Sequence, residues 1–166
     1  MRKTKEMTLI SLLAIIITIS GSFKIPGPLP GTEFQLSAPI AVAIAASFGF
    51  KRYITAGMIA SAIALALGTH TVIHVIIAII FRVVAGGILH FFKPRFITIT
   101  VAGPLGSMVA RIALGFLLKM PIGVMLIASL PGMLYTAITA WPLSKLMIKI
   151  KYYTPFREVS YEGKSI

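Results

Sequence analysis

Residues 76–95 read IIAIIFRVVAGGILHFFKPR, a run that is apolar or glycine nearly throughout until Arg82 interrupts it in the middle. A segment that crosses the hydrocarbon of a bilayer needs about 20 mostly apolar residues, and this one has the length. The rest of the chain has the same character. Of its 166 residues 57% are hydrophobic and only 12% are charged, and the mean hydropathy is +0.95, well above the roughly 45–50% apolar content of a soluble domain. The sequence is that of an integral membrane protein, and it sets one question early. A guanidinium is always protonated, so Arg82 must face an acceptor inside the membrane.

Apolar runs between charged or Pro/Gly breaks predict six transmembrane helices over residues 7–23, 34–50, 53–69, 71–92, 96–118 and 122–148, in a single membrane domain spanning 1–166. The basic start followed by an apolar run resembles a signal peptide. It lacks a small-residue cleavage site, so it is read as a retained first helix. Placing both termini in the cytoplasm puts twelve of the 16 lysines and arginines on inner segments. Only Lys24 and Lys119 then fall outside, and Arg82 and Arg111 within the membrane. That asymmetry is the positive-inside pattern. The net charge of +12 therefore belongs to topology rather than to a nucleic-acid surface, since the cations punctuate apolar runs instead of forming a patch. Trp141, Tyr152 and Tyr153 read as interfacial anchors against lipid.

Several chemistries are excluded by what is missing. There is no cysteine and no aspartate, and the only acids are Glu6, Glu33, Glu158 and Glu162. Carboxylate-held magnesium chemistry and an intramembrane acid for proton coupling therefore have no residues to work with. Neither a Walker A loop nor a G-x-S-x-G nucleophile motif occurs, so the chain is not expected to hydrolyse ATP or to be an enzyme. His70 and His74 have a ligand-like spacing, but without cysteine or carboxylate neighbours they make no convincing metal site, and none is predicted.

Arg82 should lie roughly 16 Å below the outer end of its helix, and Arg111 about 10 Å below the outer surface. Either, left unpaired at the bilayer centre, would cost at least ~2.5 kcal/mol. Glu33 is the one acid on the outer side, too little for two arginines. Three kinds of acceptor remain: carbonyls freed at Gly103-Pro104 and Pro131-Gly132, a partner's anionic side chain, or an anionic ligand held by the guanidinium fork. Thr71, His74 and Arg82 form a polar stripe descending one helix. On the next, Gly103, Ser107 and Arg111 share a face. Between the first two helices, residues 24–33 hold three prolines and two glycines, a stiff turn that reads equally as a lid or as a plain connector. Small residues four apart mark helix-packing faces at Ser37, Ala41, Ala45 and Gly49, and at Ala56, Ala60, Ala64 and Gly68.

Six short crossings, a basic start, the outer stretch FKIPGPLPGTEFQLSAPIAVAIAASFG and the later ITVAGPLGSMVARIALGFLL resemble the substrate-binding S components of energy-coupling factor (ECF) vitamin transporters. The resemblance covers nearly the whole chain. It implies a pocket that opens outward and captures a vitamin or related micronutrient. It also implies partners: a transmembrane coupling subunit and two ATPase subunits that use the ATP, this chain itself needing no cofactor. Carried over by position, substrate would be bound by Arg82, Arg111, His74, Glu33, Gln35, Ser107 and Thr71, beneath a lid holding Pro26, Gly27, Pro28, Pro30 and Gly31. The coupling face would hold Ala14, Thr18, Ala41, Ala45, Ala56 and Ala60, although the A-x-x-x-A pattern of the family's first helix is here Ala14-x-x-x-Thr18. The expected role is capture of a small anionic or carboxylate-bearing nutrient at a prokaryotic cell membrane. The alternative is a non-transporting membrane scaffold of the MreD kind, which shares the six-helix outline.

Overall fold

The computed structural model describes residues 2–26, 33–154 and 156. Its order is α1 (Arg2–Ser22), β1 (Lys24–Pro26), β2 (Glu33–Gln35), α2 (Ser37–Phe48), α3 (Phe50–Ala66), α4 (Val72–Phe91), α5 (Phe96–Leu118) and α6 (Ile122–Tyr153). The six helices run up and down. One end of the bundle, the hairpin end, carries the β1–β2 pair with the α3–α4 and α5–α6 turns; the other, the termini end, carries the start of α1 and the close of α6.

Four helices, α1, α4, α5 and α6, are long and apolar enough to cross a membrane. α2 is not, because residues 34 and 35, predicted to open it, instead lie in the strand that pairs antiparallel with β1, Pro26 opposite Glu33 and Lys24 opposite Gln35. At 12 residues it is only about 18 Å long. It needs no greater length, because it touches all five other helices and buries Val42, Ala43 and Ile44 completely. Protein rather than lipid surrounds its backbone. α3 follows after one residue. Gly49 closes α2 and opens α3 with φ +86° and ψ 164°, a conformation glycine adopts without a Cβ clash.

Hydroxyls in these apolar helices turn back onto their own backbone, as Thr18 does to the Ala14 carbonyl at 2.9 Å and Thr136 to the Gly132 carbonyl at 2.8 Å. Each donor thus finds an acceptor without leaving its helix. Pro104, Pro131 and Pro142 sit inside α5 and α6 without ending either helix.

The small-residue faces are internal. Ala14, Ala41, Ala45, Ala56 and Ala60 are each no more than 5% exposed, buried by close approach of neighbouring helices within the chain. In the chain alone these alanines, expected to form a coupling face, pack its own helices against one another. Thr18, assigned with them, is half-buried beside a cavity.

The termini end is closed by charge. Lys151 donates to the Ser47 carbonyl at 2.7 Å, and Arg52 donates to the Phe48 carbonyl at 3.3 Å and to Glu6 at 3.2 Å. The last carbonyls of α2, which lack partners in their own helix, thereby gain cationic donors at the negative end of the helix dipole.

Candidate functional site: a cavity ending at a buried arginine

The hairpin end is hollow. A cavity of about 570 Å³ runs inward between α1, the start of α2, α3, α4 and α5, a volume within the usual range for small-molecule pockets. Its mouth includes Ser22, Thr71 and His74, all exposed. Its walls include Ile17, Ile77, Phe81 and Leu114, and Arg82 and Arg111 are among them.

Arg82 is only 7% exposed, and paired large and small residues on α3 and α4 hold it in place. Its stem crosses Gly57 of α3 so closely that a Cβ there would lie 2.5 Å from Nε and 2.6 Å from Cδ. One turn toward the termini end the exchange reverses: the Tyr53 ring of α3 lies against Gly86 of α4, 3.0 Å from where a Cβ would stand. Each helix offers a glycine to the other's large side chain, so the two backbones approach and the guanidinium has one channel to follow.

That channel leads to Ser61, whose hydroxyl accepts from Nη1 at 2.6 Å. Ser61 is the one hydrogen-bond partner of Arg82 among the described residues, and it also lines the cavity. A guanidinium carries five N–H donors, and a neutral hydroxyl leaves its charge uncompensated. Of the acceptors considered from sequence, freed carbonyls are not what Arg82 meets. Tyr53 is wholly buried with its hydroxyl unpartnered, a state that costs about 1–3 kcal/mol.

Arg111 and Ser107, one turn apart on α5, share the same wall, both half-buried. At the mouth, His74 caps its own helix: its Nδ1 accepts from the Thr71 N–H at 3.3 Å and meets the Thr71 hydroxyl at 2.7 Å. A ring nitrogen that accepts leaves the imidazole proton on Nε2. His70 stacks on His74 with centroids 5.7 Å apart.

The structure thus gathers Thr71, His74, Arg82, Ser107 and Arg111 around one space. Glu33 and Gln35 lie on β2, described through their backbone only. Of the expected lid, Pro26 ends β1, while Gly27, Pro28, Pro30 and Gly31 lie outside the described residues. Sequence reasoning missed Tyr53, Gly57 and Ser61. Their four-residue spacing was there to be read, one position along α3 from the Ala56, Ala60, Ala64 stripe and therefore about 100° around the helix.

Six helices around a pocket opening at one end form the S-component architecture. The chain superposes on the crystal structure of the S-component for biotin from an ECF-type ABC transporter with a TM-score of 0.71, over 95% of this chain and 96% of that one, at 17% identity. No family model matches the sequence. Protein BioX of Lysinibacillus sphaericus is 49% identical over 152 residues, 90% of this chain and 92% of that protein. The chain belongs to the BioX family.

Proposed function

We propose that this protein is the substrate-binding membrane subunit of an ECF-type importer and that it captures a small carboxylate-bearing micronutrient, biotin or a molecule of its kind. The observation that carries this reading is Arg82: a cation 7% exposed, in the wall of a cavity large enough for such a molecule, with one neutral hydroxyl as its bonded partner among the described residues. A carboxylate seated there accepts a charge-assisted bond and neutralises the buried charge, while the apolar wall takes the ligand's carbon skeleton. Arg111, Ser107, His74 and Thr71 supply further polar contacts toward the mouth.

In this reading both termini are cytoplasmic, as the cation distribution demands, so the cavity opens outward from a prokaryotic cell membrane. The chain binds and reorients; a coupling subunit and two ATPases supply the energy. The biotin-specific part rests on the likeness to the biotin S-component, and the carboxylate part on the arginine. Titrating the purified protein with biotin and with biotin amide, which lacks the carboxylate charge, tests both. Biotin binds and the amide binds on the order of a hundredfold more weakly. Equal affinity for the two removes the role given to Arg82. Binding of neither, with a different acid identified by mass spectrometry of the copurified ligand, keeps carboxylate capture and discards biotin.

A further inference from the structure

Arg82 lies between two hydroxyls on one face of α3, four residues to either side of the glycine it crosses. Ser61, toward the cavity, is bonded to it. Tyr53, toward the termini end, is wholly buried and bonds to nothing among the described residues. The Tyr53 ring is well seated against Gly86, so packing alone is served as well by phenylalanine, and the hydroxyl serves another purpose. Gly57 leaves the stem of Arg82 without a Cβ to strike on the facing helix, while Gly86 makes room for the Tyr53 ring beside it.

We propose that Tyr53 is a positioning residue for Arg82, an inner seat onto which the guanidinium turns when it gives up the ligand. In the outer seat, on Ser61, the arginine faces the cavity and holds the carboxylate. In the inner seat it donates to the Tyr53 hydroxyl, and the carboxylate loses its counter-ion at the moment of release. The part of this that concerns release rests on the carboxylate-capture reading; the two seats themselves do not.

Two experiments separate them. The crystal structure of ligand-free Ser61→Ala, which removes the outer acceptor, shows the Arg82 guanidinium on the Tyr53 hydroxyl. An arginine that stays against the cavity, or a Tyr53 hydroxyl occupied by a buried water, overturns the proposal whatever the ligand is. The second uses Tyr53→Phe, which keeps the ring on Gly86, with biotin as the probe. Equilibrium affinity is retained or raised, and dissociation, followed by stopped flow, slows about tenfold, the equivalent of one charge-assisted hydrogen bond. Unchanged dissociation, or an affinity that falls below the parent's, overturns the proposal. If the parent protein binds no biotin, the biotin part of the functional reading fails while the Ser61→Ala structure still decides the seats.

Discussion

The two ends of this bundle treat arginine in opposite ways. At the termini end Arg52 reaches a carboxylate, Glu6, and the Phe48 carbonyl, and Lys151 reaches the Ser47 carbonyl. Those cations finish a helix and sit where water can share their charge, Arg52 being 19% exposed through its side chain and Glu6 43%. At the hairpin end Arg82 is buried deeper and has, among the described residues, a single serine. A cation that completes the fold comes with its acceptors; on the proposed function Arg82 is one kept for a ligand, given geometry and left short of charge. Removing Arg82 should therefore damage binding and not folding. Arg82→Ala is expected to weaken biotin binding at least a hundredfold, as loss of a charge-assisted pair should. Its thermal midpoint in detergent should be equal to or above the parent's, because an uncompensated buried charge opposes folding. A variant that unfolds instead would make Arg82 a structural cation like Arg52 and erase the contrast.

Gly57→Ala sharpens the same contrast without touching charge. The added methyl occupies the place of the Arg82 stem, so the guanidinium must leave its line toward Ser61. About a tenfold loss of affinity is expected, the worth of a misplaced charged hydrogen bond, with far-UV circular dichroism unchanged. An affinity equal to the parent's would show that the glycine serves only helix approach.

What the sequence made legible divides along the same line. Six helices and their apolar character follow from apolar run length and the scarcity of acids, which are local and additive properties. The gathering of Thr71, His74 and Arg82 was also readable, since one helix carries all three at helical spacing. The coupling face was not legible, because a stripe of alanines states only that a backbone approaches and not whose. Ala41 and Ala60 meet helices of their own chain and even border the cavity. Ser61 and Tyr53 escaped for a related reason: they matter only once α4 lies against α3, and a single helix does not state its partner. The shortness of α2 depends on β1 pairing with β2, a contact across a proline-rich turn whose outcome spacing alone does not reveal.

The alanine stripe supplies the next test. Ala60→Leu adds bulk at a position 2% exposed where α3 is packed within the bundle, and overpacking of that kind typically costs about 1–3 kcal/mol. The expected result is a lower thermal midpoint in detergent for the isolated protein, with no partner present. An unchanged midpoint, together with lost capture of a coupling subunit, would place Ala60 on the coupling face.

The smallest effect belongs to the closed end. Lys151→Met removes the donor to the Ser47 carbonyl but keeps an apolar stem of similar length beside Phe48, over whose ring the ammonium now lies at 5.7 Å. Arg52 still reaches the neighbouring Phe48 carbonyl, so the end of α2 keeps one of its cationic donors. The loss should stay near 1 kcal/mol, the net worth of an ordinary hydrogen bond. Biotin affinity should not move, because α2 separates this end from the cavity with a fully buried stretch from Val42 to Ile44. Titration of the variant beside the parent decides the matter. A shift in affinity without a matching loss of stability would mean that the end of α2 reports to the cavity, and that the two ends of the molecule, so differently built, act as one device.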